Sequence, residues 1–255
     1  MEKTLEFPDL LRLIDERSTA FRAAVSTAPS LDVPVPTCPG WTLFDLVQHL
    51  GQGRRKWATI VTAGPDDAPP APSASEAPRE REALLAWSAA STQQLLDALR
   101  EAGPDRGCWT WWGRSQSPQT TGAAARHQVQ EIAVHTYDAQ LTVGVPQPLP
   151  DEVALDGVDE FLVTCCATTE AWPHEPATVD YHATEGRSWR LWLSADGART
   201  TRRPVPTPGE DAADASARGT AAELVLAMYG RISVDSLKLG GDRRLFDQLI
   251  AWEPA

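Results

Sequence analysis

The sequence predicts an α+β protein of two domains, a four-helix bundle followed by a smaller domain that mixes helices and strands. Long segments with apolar residues at helical spacing fill the chain up to Val145-Pro146-Gln147-Pro148. Beyond that proline-rich stretch, short alternating segments typical of strands occur between helical ones. We therefore expect one domain at 1–146 and a second at 147–255, which is an α+β arrangement.

Each helix of the first domain begins at a recognisable signal. Pro8 can open the first helix, and Thr42 with Asp45 forms a capping box at the start of the second. A loop rich in Pro, Ala, Ser and Asp at 64–79 precedes the third, and a tryptophan-rich connection precedes the fourth. The expected ranges are about 9–27, 43–61, 79–101 and 120–141.

The second domain is expected to begin with a helix from Asp151 to Cys166. Strand-like runs follow, with Asp196-Gly197 as a hairpin signal between two of them. Thr220 and Glu223 form another capping box, and Asp242 is the expected cap of a last helix. The expected strands are 177–183, 189–193 and 199–203, and the expected later helices end near Met228 and Trp252.

Charge and composition exclude several classes of protein. The net charge of −12 argues against nucleic acid or an anionic membrane as the main partner, because both need clustered lysine and arginine. No run of apolar residues is long enough to span a membrane, and the acidic N-terminus lacks a signal core. The four cysteines form no CxxC pair, so a reduced cytoplasmic location is expected.

Three metal-binding side chains recur at four-residue spacing in the fourth helix. His127, Glu131 and His135 lie one above another on one helical face. Glu131 with either His127 or His135 could supply two ligands, and His49 from the second helix could supply a third. Two histidines and one carboxylate with an open position are typical of catalytic zinc. The alternative interpretation is a solvated polar face.

Several other residues have a functional and a structural interpretation. Asp45 could orient the ring of His49 or could serve only as the capping carboxylate, and Asp138 could orient His135 or face solvent. Arg231 could neutralise a helix C-terminus or clamp a carboxylate. Gly51-Gln52-Gly53-Arg54 does not follow a strand, so we reject it as a phosphate loop. Cys165 and Cys166 are interpreted as core residues.

Several stretches resemble the mycothiol-dependent maleylpyruvate isomerase family of the DinB-like metalloenzyme superfamily. The segment from Cys38 to Gly51 resembles the signature CPGW-x3-DL-x2-HLG. The segment from Arg126 to Ala139 resembles R-x4-E-x3-H-x2-DA. The tail resembles the family's C-terminal domain at Gly219–Leu224, Tyr229-Gly230-Arg231 and Gly241-Asp242.

The resemblance implies a DinB-like four-helix bundle and a smaller α+β domain of sterol-carrier type. It implies zinc, or another divalent metal, held by His49, Glu131 and His135, which selects His135 over His127. Arg231 falls where the family places a functionally important arginine, and we expect it to be a catalytic and thiol-binding residue. Asp45 and Asp138 are the other expected catalytic residues, and Trp41 is the other expected thiol-binding residue. The implied partners are small molecules, with the protein a monomer or homodimer.

The implied reaction uses mycothiol or a similar thiol, activated as a metal-bound thiolate. The thiolate would attack an electrophilic small molecule, giving cis–trans isomerisation of the maleylpyruvate type or S-transfer. A metal-dependent hydrolase that uses zinc-bound water is the alternative enzyme. A non-catalytic module that binds a small molecule is the alternative outside enzymes.

Overall fold

The structure is a computed structural model that describes residues 5–66, 68–69, 76–204 and 212–252. The chain divides into two compact units. The first consists of residues 1–111 with 119–149, and the second of residues 112–118 with 150–255. The first unit is helical and the second combines a sheet with helices, so the predicted fold class is confirmed. Part of the loop expected at 64–79 lies outside the described residues.

Four long helices build the first unit at the places the sequence predicts. Thr42 and Asp45 form the expected capping box, and the Thr120 side chain caps the fourth helix by accepting from Ala123 N. Among the apolar residues, α1 and α2 bury Phe21, Leu46, Val47 and Leu50 in one core with Ile132 of α4. The helices are α1 Phe7–Thr27, α2 Leu43–Ala63, α3 Arg81–Ala102 and α4 Thr121–Thr142.

A mixed five-stranded sheet and three α-helices build the second unit within the described residues. The strand order is β3-β2-β1-β4-β5, in which β1 pairs parallel with β4 and the other pairs are antiparallel. Gly197, at φ +112°, allows the tight turn from β2 to β3. The elements are α5 Asp151–Phe161, β1 Ala177–Ala183, β2 Ser188–Ser194, β3 Gly197–Arg203, β4 Ala215–Gly219, α6 Ala221–Met228, β5 Lys238–Gly241 and α7 Arg244–Ala251.

The second unit departs from the sequence prediction in three places. The helix expected to reach Cys166 is α-helical only to Phe161 and ends in a π-helical turn, Leu162–Cys166. Strands β4 and β5 were not expected, since their small residues and glycines carry little strand signal. Helix α7 has its N-cap at Arg243, while Asp242 accepts from Arg244 N through Oδ1.

A search of the described helices finds none with the length and apolar character that crossing a membrane requires.

Candidate metal centre

One histidine of α2 faces one glutamate and one histidine of α4. His49, Glu131 and His135 each offer a ligand atom, and these atoms lie within 4.8 Å of one another. Oε1 of Glu131 is 2.9 Å from Nε2 of His49 and 3.5 Å from Nε2 of His135. The three side chains are 42%, 29% and 9% exposed in that order, so the group is open on one side.

The two helices position this group through features of the sequence. The Thr42–Asp45 capping box fixes the first turn of α2, and His49 lies one turn beyond Asp45. Glu131 and His135 are four residues apart in α4, which places them on one face. The group is therefore assembled by two regular helices, which hold side chains more rigidly than loops do.

Asp138 fixes the orientation of the His135 ring. Its Oδ2 lies 2.8 Å from Nδ1 of His135, and its Oδ1 accepts a 2.6 Å hydrogen bond from the Thr37 hydroxyl. The Cys38 thiol also donates to Oδ2, over 3.6 Å. When a metal replaces the proton on Nε2, Asp138 would keep the remaining proton of His135 on Nδ1. The lone pair of Nε2 would then point toward Glu131 and His49, as a metal ligand requires.

The ionisation of this group follows from its contacts. Burial raises the pKa of the Glu131 carboxyl, but hydrogen bonds from His135 and His49 outweigh it and hold that pKa well below its usual range. Burial opposes the charged form of His135, yet its hydrogen bonds with Asp138, Cys38 and Glu131 hold its pKa well above the usual range. Glu131 is thus an anion at neutral pH, as a ligand for a divalent cation should be.

The donor set fits a zinc-type metal. Two imidazole nitrogens and a carboxylate oxygen converge on one point and leave one side open. Cys38, His135 and Asp138 form a second group of comparable spacing. That group uses the Nδ1 side of His135, and Asp138 within it is fully buried. The group with His49 and Glu131 is the one that lines a cavity.

Other residues singled out in the sequence lie in varied surroundings. Oδ2 of Asp45 accepts from the backbone N–H and hydroxyl of Thr42, which is the capping arrangement. The centroid of the Trp41 ring lies 4.8 Å from that of the His49 ring.

Two further residues lie apart from the group of candidate ligands. The ring centroids of His127 and Trp111 are 5.6 Å apart. Arg231, in the second unit, donates from Nη1 to the Tyr229 carbonyl. Roles for Asp45, Trp41 and Arg231 remain predictions.

A cavity of about 590 Å³ opens beside the candidate metal centre. His49, Glu131, Trp57 and Trp111 line it, and so does Arg54, which the sequence argument set aside. Burial lowers the pKa of Arg54 to about 9, with Arg22 adding to that effect and Glu131 opposing it. Arg54 lies between Leu50 and Trp57 at the spacing of the apolar face of α2. This spacing is the sequence signal that could have revealed that Arg54 is buried.

Comparison with known proteins places the chain in a family. The model described as "Mycothiol maleylpyruvate isomerase N-terminal domain" matches residues 11–140. The model described as "MDMPI C-terminal domain" matches residues 152–248. The chain belongs to the mycothiol-dependent maleylpyruvate isomerase family. The recognition made from the sequence motifs is therefore confirmed.

Solved structures share the fold of this family member. A crystal structure of a histidine-to-alanine mutant of the mycothiol-dependent maleylpyruvate isomerase is 15% identical, with a TM-score of 0.57. A crystal structure of the mycothiol-dependent maleylpyruvate isomerase is 16% identical, with a TM-score of 0.54. Both alignments cover 92% of this chain and 93% of the other. The comparison with curated proteins finds no match.

Proposed function

We propose that this protein is a divalent-metal enzyme that uses mycothiol or a similar small thiol to attack an electrophilic small molecule. The observation that supports the proposal best is the convergence of His49, Glu131 and His135 on one point at the edge of a cavity. Family membership supports the choice of thiol. Zinc is the metal that this donor set suits.

The chain's own residues prepare the site for a thiol. A metal held by His49, Glu131 and His135 would, when bound, lower the pKa of a thiol and so supply a thiolate near neutral pH. Asp138 keeps the proton of His135 on Nδ1, and Trp41 packs against the ring of His49. Trp57 and Trp111 provide apolar walls of the cavity.

Isomerisation of a cis-enoyl diacid needs only addition and elimination of this thiol. The sulfur adds to one carbon of the double bond, and the resulting single bond rotates. Elimination of the same sulfur then restores the double bond in the trans form, and the thiol is regenerated. In S-transfer, the adduct is retained or a leaving group departs instead.

Two of the protein's four cysteines, Cys108 and Cys166, are poorly suited to be the nucleophile. No disulfide joins Cys38, Cys108, Cys165 and Cys166. Burial raises the pKa of the Cys108 thiol to about 11 and, with Glu160 adding to it, that of Cys166 to about 12. These two groups are therefore thiols at neutral pH, whereas nucleophilic attack needs a thiolate. A thiol supplied from outside the chain meets that need.

Thiol dependence of turnover tests the proposal. The zinc-loaded full chain is mixed with maleylpyruvate, with and without mycothiol, and the trans product is measured. We expect turnover only with the thiol, and its loss in Glu131→Ala. The control is Glu16→Ala, which changes an exposed glutamate of α1 that pairs with Arg12 and neither belongs to the group of candidate ligands nor lines the cavity.

Two outcomes would contradict this proposal. Turnover of hydrolysable esters or amides without thiol would support the hydrolase instead. A metal-loaded protein that binds small molecules but transforms neither maleylpyruvate nor another electrophile in the presence of mycothiol would support a binding module.

A further inference from the structure

Arg54 is a buried cation with an unused hydrogen-bond donor. Its side chain is among the largest that are fully buried, and the residue is 2% exposed. Nη1 donates to the hydroxyl of Thr92, whereas Nη2 has no hydrogen-bond partner in the part of the chain that the structure describes. Burying a charged donor without a partner is costly, so such a group calls for an explanation.

The surroundings leave the positive charge of Arg54 poorly compensated. Arg22, on α1, adds a like charge, and Glu131 is the nearby opposite charge that acts on Arg54. Glu131 is also a candidate metal ligand, and a bound divalent cation would offset its negative charge. The guanidinium of Arg54 would then lack a compensating negative charge, so the adjoining cavity would favour binding of an anion.

The position of Arg54 makes it available to a molecule in the cavity. Arg54 lines the same cavity as His49 and Glu131. A guanidinium binds a carboxylate through paired parallel hydrogen bonds, which gives both affinity and a fixed orientation. A carboxylate at Nη2 would satisfy the unused donor and supply the missing negative charge.

We propose that Arg54 binds a carboxylate of the electrophile and so selects carboxylate-bearing substrates for this site. This inference rests on the proposed function, because it takes the reaction to be attack of a thiol on the electrophile. It assigns Arg54 as a binding and positioning residue, distinct from the residues that would hold the metal.

Binding of maleate to the zinc-loaded full chain tests this assignment, with titration calorimetry as the measurement. We expect Arg54→Gln to weaken maleate binding about 10- to 100-fold, the loss typical of a charge-assisted hydrogen-bond pair. The matched control is Arg55→Gln. Arg55 is the next residue and donates from Nε to Ser91 on α3 at 2.8 Å, but it does not line the cavity. This control should leave binding within about twofold.

Two further comparisons keep the proposal falsifiable if Arg54→Gln does not fold. Arg54→Lys keeps the charge and should retain part of the affinity for maleate. The unaltered protein should bind maleate at least about tenfold more tightly than its dimethyl ester, which has no carboxylate. Equal binding of acid and ester, or unchanged maleate binding in a folded Arg54→Gln, would overturn the assignment.

Steady-state kinetics distinguish a loss of electrophile binding from a loss of thiol binding. In Arg54→Gln the KM for maleylpyruvate should rise while the KM for mycothiol and the zinc content stay unchanged. A rise confined to the thiol KM would overturn the proposal. Because maleate binding requires neither thiol nor turnover, its result stands even if thiol-dependent activity is absent.

Discussion

Asp138 determines which nitrogen of His135 faces the candidate metal centre. Its Oδ1 is held by the Thr37 hydroxyl, which leaves Oδ2 for Nδ1 of His135. Thr37 and Cys38 come from the loop before α2, about a hundred positions away in sequence, so their role depends on tertiary packing. The orientation of the ring is therefore set by the loop as well as by α4.

Asp138→Asn should weaken zinc binding about 10- to 100-fold, as loss of an orienting partner typically does. The Thr37 hydroxyl needs an acceptor, so it will pair with the amide oxygen and turn the NH₂ group toward His135. That group can only donate, which favours the tautomer with its proton on Nε2, where the metal should bind. Competition with a zinc chelator measures the affinity.

The control for this substitution is Asp97→Asn, which changes an exposed aspartate on α3 that pairs with Arg100. It should leave zinc affinity unchanged. Equal affinity of the Asp138→Asn protein and the unaltered protein would show that Asp138 does not orient His135.

Among individual residues, the sequence reveals the candidate metal ligands more readily than the residues around them. The motif spacing singles out His49, Glu131 and His135, and the structure brings these three together. Arg54 was considered only within the motif Gly51-Gln52-Gly53-Arg54, which was rejected as a phosphate loop because it does not follow a strand. Its burial depends on Thr92 of α3, which no local pattern connects to it.

At the scale of the element, the two nearby glycines of α2 have different surroundings. A Cβ at Gly51 would lie 1.9 Å from the ring of Trp87, whereas a Cβ at Gly53 would meet no atom within 4 Å. Gly51 therefore allows α2 and α3 to approach closely. Gly53 has no such packing requirement.

Gly51→Ala should destabilise the protein by about 1–3 kcal/mol because the Trp87 ring must move. Gly53→Ala should stabilise it by about 0.5–1 kcal/mol because alanine favours the helix. Urea denaturation measures both free energies of unfolding. Similar effects of the two substitutions would contradict the close packing at Gly51.

The capping box of α2 should make stability depend on pH. Hydrogen bonds from the hydroxyl and backbone N–H of Thr42 hold the pKa of Asp45 below its usual value. A carboxyl with a depressed folded pKa contributes stability above its unfolded pKa of about 3.9. That contribution is lost as the pH falls through the lower folded pKa.

Asp45→Asn should therefore lower the free energy of unfolding by about 0.5–1 kcal/mol near neutral pH. The difference from the unaltered protein should shrink as the pH falls below about 4. Urea denaturation across this pH range measures it. A difference that stays constant with pH would show that the charge of Asp45 contributes nothing to the cap.

Helices with capping signals could be predicted from the sequence. A strand that depends mainly on backbone pairing with its neighbours could not. The helix-opening signals at Thr42, Thr120 and Thr220 all cap helices in the structure. Strand β4, by contrast, gains its conformation from backbone pairing with β1 and β5. Its residues Ala215 to Gly219 have little strand propensity of their own.

At the scale of the whole molecule, the chain crosses between its two units more than once. Residues 112–118 lie with the second unit, although helix α4 of the first unit follows them. Gln116 holds this segment. Its backbone N–H donates to the Val163 carbonyl, and its side-chain Oε1 accepts from the backbone N–H of Thr200. Such a crossing leaves no compositional mark, whereas the change of fold near residue 150 accompanies a proline-rich stretch.

The proposed function requires that His49, Glu131 and His135 together hold one divalent metal. The most direct measurement is the zinc content of the purified full chain after zinc loading and removal of excess metal. We predict about one zinc ion per chain in the unaltered protein and in His127→Ala, and a large loss in His49→Ala and Glu131→Ala. A protein that retains no zinc, or whose zinc survives both ligand substitutions, would contradict the account.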